Sequence, residues 1–135
     1  MSNFVFGDLL DITVTHLGNT YRFSPKANES GTLDLGGLRT NDEKSQITSN
    51  GQMMRQINRQ RWMLEIPIAC DTISNAELSN LNTMSASPVL GDWQFSLISG
   101  AIYIGKGCPV GDIDTDTNAG TISLKVSGNG ILQKI

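Results

Sequence analysis

The residues best spaced for chemistry are Asp112, Asp114, Asp116 and Asn118, which alternate with Ile113, Thr115 and Thr117. Oxygen ligands at every second position are how a calcium loop begins. The register fails further along. A loop begun at Asp112 puts Thr117 where Gly is needed and Ser123 where the bidentate Glu belongs; begun at Asp114, those positions hold Ala119 and Lys125. The stretch reads as a solvated acidic loop. His16 is the one imidazole in the chain. It falls in phase with Ile12 and Val14, and nothing around it suggests the oriented base of a nucleophilic site. It reads as a hydrogen-bonded core residue. Cys70 and Cys108 are dispersed, and with a single His they do not easily build a tetrahedral metal site. They read as small buried hydrophobes, with a disulfide between them as the alternative. Gly105-Lys106-Gly107 lacks both the GxxxxGK[ST] pattern and the strand-to-helix setting of a phosphate loop. The 13 acidic residues nominate no catalytic pair. No catalytic, cofactor or metal site is expected, and the chain reads as a scaffold rather than an enzyme.

The elements around these residues are mostly strands. Residues 12–16 and 20–24 alternate on either side of Leu17-Gly18-Asn19, which predicts a hairpin with one buried face. Residues 26–44 show no sustained period and read as a long loop or arm, because loops of this length are uncommon inside a compact domain. Leu33, Leu35 and Leu38 are its apolar anchors. Polar strands over 45–49 and 52–57 flank Asn50-Gly51, a pair that favours a type I′ turn. Residues 61–69 then alternate cleanly. Trp62, Leu64, Ile66 and Ile68 face one way, and Arg61, Met63, Glu65 and Pro67 the other. A helix is expected over 74–85, with Ser74 and Glu77 as a capping box and a narrow apolar stripe of Leu78, Leu81 and Met84. Trp93, Phe95 and Leu97 alternate with polar residues. Ser99-Gly100 turns the chain into 101–104, and Ile122, Leu124 and Val126 alternate in a closing strand. The expected core includes Trp62, Leu64, Ile66, Trp93, Phe95 and Leu124.

A length of 135 residues suits a single domain, residues 1–135. Hydrophobic residues make up 39% and aromatics 6%, enough only for a modest core that neighbouring copies could complete. No apolar run approaches the roughly 18 residues of a membrane span. The N-terminal residues lack the basic and apolar regions of a secretory leader, which points to a protein made in a cytosol. The net charge of −3 is unevenly placed: Lys44, Arg55, Arg59 and Arg61 form a basic band between acidic flanks. Such a band reads either as solvated surface charge or as a contact with the acidic surface of a neighbouring copy, where complementary charge fixes register.

Gly105, Gly107, Pro109, Gly111 and Asp112, followed by a polar loop and a closing strand over 121–127, resemble the C-terminal half of the tail tube protein of contractile-tailed bacteriophages. The earlier order also resembles that family: hairpin, Gly36–Gly37 loop, polar hairpin, short helix, hairpin, final strand. The resemblance implies a mainly antiparallel β fold, a small barrel or two packed sheets with one flanking helix and a long inter-subunit loop. It implies a structural virion protein whose six-membered rings stack into a tube inside a contractile sheath. The tube would be driven through the host envelope and would conduct the genome. Its partners would be itself, the tail sheath, tape-measure, baseplate and tail terminator proteins, and double-stranded DNA in transit. It would be assembled in the host cytoplasm and reside in the virion tail. On this reading Gln46, Thr48, Arg61, Met63 and Glu65 line the channel, with Arg61 the doubtful member, and Leu33, Leu35 and Leu38 dock on an adjacent subunit. Alternatives are the tube of a bacterial secretion or bacteriocin-like apparatus, or a soluble β-barrel binding module.

Overall fold

The computed structural model describes residues 8–71 and 73–135. The reading of the N-terminus as no secretory leader rests largely on residues 1–7 and so lies outside the described residues. The chain is mainly β, with strands β1 (Leu9–His16), β2 (Asn19–Phe23), β3 (Thr32–Asp34), β4 (Gly37–Ile47), β5 (Met53–Gln60) and β6 (Trp62–Ala69). One helix, α1 (Ala76–Ala86), precedes β7 (Gly91–Leu97), β8 (Ile102–Pro109), β9 (Thr115–Asp116), β10 (Thr121–Gly128) and β11 (Gln133–Lys134). Among the described residues all strand pairings are antiparallel.

Nine strands form one sheet, in the order β2-β1-β7-β8-β10-β6-β3, with β11 beside β8 and β9 beside β10. The ladder does not close into a barrel; the sheet folds over as two packed halves. The aromatic contacts show how far it curls. Trp62 on β6 meets Phe95 on β7 edge to face, with ring centroids 5.6 Å apart. Those strands lie three steps apart in the sheet, about 14 Å if it were flat. A single bridge, Pro25 with Ile68, brings the β2 end of the path against β6.

Period-two alternation explains which face is inside. Ile12, Val14, Phe23, Trp62, Leu64, Ile66, Ile68, Trp93, Phe95, Ile122, Leu124 and Val126 are all buried and form one apolar cluster. Both indoles satisfy their N–H groups on β8: Trp62 Nε1 donates to the Lys106 carbonyl at 3.1 Å, and Trp93 Nε1 to the Gly107 carbonyl at 3.0 Å. Close packing of β8 on β10 depends on glycine. An added Cβ at Gly128 would lie 1.8 Å from the Lys106 carbonyl oxygen, and one at Gly107 2.4 Å from that of Ser127. His16 is buried, and its Nε2–H donates to the Val89 carbonyl at 3.1 Å.

Several local expectations are corrected. Residues 26–44 are not one loop: they contain β3 and the first part of β4. The long hairpin therefore has strands of 11 and 8 residues rather than short runs beside the turn. Its turn is not type I′. Only Gly51 has positive φ (87°), and Thr48 N–H bonds to the Gln52 carbonyl around the intervening loop. Positive φ at both central positions, as type I′ requires, occurs instead at Leu17 and Gly18 of the first hairpin. The helix spans Ala76–Ala86, with Asn75 at its N-cap in the left-handed region, so Ser74 does not occupy the capping-box position. Glu77 instead accepts a bond from the Asp71 N–H at 3.4 Å. Leu81 and Met84 are buried against the sheet and Leu78 is half-buried.

Candidate assembly surface

The β4–β5 hairpin is a separate two-stranded sheet. Its register sorts its side chains onto two faces. Ile47 pairs with Met53, Thr40 with Ile57 and Leu38 with Arg59. With Arg55, which shares the phase of Met53 and Ile57, these residues make an apolar face carrying two cations. Arg55 reaches across to Thr40 Oγ1, its Nε at 3.2 Å. The other face holds Arg39, Asn41, Gln46, Met54, Gln56, Asn58 and Gln60. There amides bond to each other: Asn41 and Gln56 both donate to Asn58 Oδ1, each at 3.2 Å.

The apolar face is uncovered. Ile47 is 76% exposed, Leu38 67%, Met53 58% and Ile57 49%. Every residue of β5 is exposed. Two-stranded hairpins are at best marginally stable in water without a covering layer. Contiguous exposed apolar surface is the usual mark of an interaction site. Between residues 42 and 45 the ladder is interrupted by a bulge, where Ser45 Oγ donates to the Asn41 carbonyl and accepts from Gln56 N–H. Such a bulge twists the ribbon and interrupts its pairing edge.

Charge separates the hairpin from the body. Residues 37–60 carry four basic and two acidic side chains; the rest of the chain carries six basic and eleven acidic. Part of the negative surface lies beside β9 and β10, where Glu29, Asp114 and Asp116 line a shallow groove with Pro67 and Ser123. Asp116 also has a structural task. Its Oδ1 accepts the N–H groups of Asn118 at 3.0 Å and Ala119 at 3.1 Å, and these bonds hold its pKa below the ordinary carboxylate value.

The residues expected at the channel wall occupy two places. Met63 and Glu65 lie on the outward face of β6, Met63 half-buried and Glu65 exposed, with exposed Arg61 just before the strand. Glu65 stands between Thr32 of β3 and Lys125 of β10. Gln46 lies near the end of β4 on the other sheet, and Thr48 follows that strand in the loop at the hairpin tip. The two groups therefore do not share a strand or a sheet. The three leucines also part company. Leu38 belongs to the hairpin's apolar face, whereas Leu33 pairs with Leu64 and lines a small slot with Leu9, Ile66 and Leu97. The Leu35 carbonyl accepts from Leu132 N–H at 2.9 Å, which ties the hairpin root to the body. Cys70 and Cys108 are free thiols, and burial pushes the Cys70 thiol up.

The hairpin's apolar face was not legible in the sequence because β4 alternates poorly. The signal that could have found it is the same-phase series Met53, Arg55, Ile57, Arg59. No protein-family model matches the chain, and no curated protein matches it in sequence.

Proposed function

We propose that the chain is the subunit of a self-assembled hollow tube of the kind found in contractile phage tails. Six-membered rings stack around a channel, and the tube is driven through a host envelope when the surrounding sheath contracts, conducting the genome. The observation that carries this reading is the β4–β5 hairpin: a separate ribbon with one exposed apolar, cationic face, projecting from a negatively charged body. Another copy of the same chain offers the acidic groove of Glu29, Asp114 and Asp116, opposite in sign to Arg55 and Arg59, and complementary charge fixes orientation and register. Closed symmetry is the usual outcome when a chain recognises itself. On this reading function resides in assembly; sheath, tape-measure, baseplate and terminator proteins are the further partners, and the virion tail is its place.

The outward face of β6 is the proposed channel wall. Glu65 beside Lys125 leaves that part of the face close to neutral, which suits a lumen through which phosphate backbone must pass without sticking. The test is assembly. Light scattering across a wide concentration range, followed by negative-stain imaging, should find rings and, more slowly, hollow rods. A monomer persisting at the highest concentration, with no rods on long incubation, overturns the proposal.

A further inference from the structure

The hairpin joins the body through two short crossings. β3 ends at Asp34 and β4 begins at Gly37; β5 ends at Gln60 and β6 begins at Trp62. On the first crossing Gly36 has φ 76° and Gly37 φ 103°, both in the left-handed region that side chains disfavour. An added Cβ at Gly36 would fall 2.6 Å from the Trp62 backbone nitrogen and 2.8 Å from the Gly130 carbonyl oxygen. The first leg therefore turns at a tight point made of two glycines, whereas the second turns at Arg61.

One carboxylate gathers the pieces of this root. Asp34 Oδ1 accepts the Gly36 N–H at 3.0 Å and pairs with the Arg39 guanidinium; Asp34 Oδ2 accepts from Gln60 Nε2 at 3.4 Å. A body strand, the turn and both hairpin legs meet at a single side chain. Arg39 and Gln60 share the hairpin's polar face, so the side-chain bonds to Asp34 are one-sided. On the apolar side of the root a groove of about 440 Å³ separates Leu38, Arg59 and Arg61 from Asn129 and Ile131. Side-chain bonds hold the hairpin on its polar face, the Leu132 N–H to Leu35 carbonyl bond ties its root to the body, and the groove leaves space along the apolar face.

We propose that Asp34 is a latch that fixes the angle at which the hairpin leaves the body, with Gly36–Gly37 as the pivot. The eight residues of β5 make a lever of about 26 Å at the usual strand rise. A swing of about 10° at the root moves the tip by roughly 4–5 Å, most of a strand spacing. The latch thus decides where the apolar face points. It is charged at neutral pH: the Gly36 N–H first, then Arg39, hold the Asp34 carboxyl below its ordinary value. The bonds that depend on the charge are present above that ordinary value and are lost only as pH falls through the lowered one. This device belongs to the single chain and does not rest on the tube reading.

The test is the distance between nitroxides at Asn50→Cys on the hairpin tip and Ser123→Cys on β10, by pulsed dipolar spectroscopy. The background is Cys70→Ala with Cys108→Ser, and the labelled chain is diluted with unlabelled protein so that only distances within one molecule are read. The unaltered latch should give one narrow distribution. Asp34→Ala should at least double its width or shift its mean by 4 Å or more, and Asp34→Asn, which keeps an acceptor for Gly36 N–H, should do less. An Asp34→Ala distribution unchanged in mean and width, with near-ultraviolet circular dichroism intact, overturns the proposal. If that variant does not fold, Arg39→Gln on the exposed hairpin strand decides: broadening supports the latch, and an unchanged distribution overturns it.

Discussion

Replacing Ile47, Met53 and Ile57 together by Thr strips the apolar face of the hairpin while leaving its strands intact, because Thr is itself a strand former. All three side chains are already largely in water, with exposures of 76%, 58% and 49%. Exposed substitutions away from caps and buried groups cost a chain only about 0.5 kcal/mol or less each. The isolated subunit should keep its far-ultraviolet spectrum and its thermal midpoint to within a few degrees. Assembly should respond differently. Full burial of a side chain of this size is worth about 1.5–3 kcal/mol. Scaled by the area each still exposes, and allowing for the methyl that Thr retains, the three together contribute about 2–4 kcal/mol to each contact. That is roughly a 30- to 1000-fold loss in association constant. Sedimentation velocity over a concentration series reads both quantities at once. An unchanged association constant refutes the assignment of this face to assembly; an unfolded subunit refutes the claim that the face is free in the monomer.

Three further outcomes are expected. Gly128→Ala puts a methyl 1.8 Å from the Lys106 carbonyl oxygen, so β8 and β10 must part; the loss should reach about 3 kcal/mol, the upper end of overpacking costs, and denaturant melts showing less than about 1 kcal/mol would contradict the close approach. Trp62→Ala removes a fully buried ring and the bond to the Lys106 carbonyl, and should cost roughly 3–5 kcal/mol; ready iodide quenching of the native indoles would argue against that burial. If the proposed tube conducts DNA, Glu65→Lys, on the exposed outward face of β6, should leave assembly intact but slow genome ejection from particles carrying it, with relief as salt screens the added charge; ejection unchanged at low salt would remove this face from the channel.

Strands were legible where one face is buried. Residues 62–68 alternate without a break, and four of their side chains are in the core. The β4 strand was not legible, because Gly37–Ile47 has polar residues on both faces and a bulge that resets its phase. A period cannot be read from a ribbon with no buried side. The capping box was suggested by spacing alone, but the helix begins one residue later, on Asn75 in a left-handed conformation. The Asn50-Gly51 pair promised a turn and delivered one, yet its type was set by the longer loop closing at Thr48 and Gln52. The candidate surface was half legible. The basic band was visible in the composition and Arg55 and Arg59 share a phase with Met53 and Ile57, but the placing of Ile47 and Leu38 on the same face depends on cross-strand register.

The contact between β8 and β10 has a consequence for heredity. A crowded side chain can be accommodated by trimming its neighbour, so many core positions drift in compensated pairs. The neighbours of Gly128 are the Lys106 carbonyl and the Gly107 Cα, and those of Gly107 include the Ser127 carbonyl. These are main-chain atoms, present whatever residue the gene encodes. No second-site substitution can make room for a side chain at either position. As sequences of this lineage diverge, Gly107 and Gly128 are the letters that have no partner to change with, while the exposed strands of the hairpin remain free to follow whatever surface they meet.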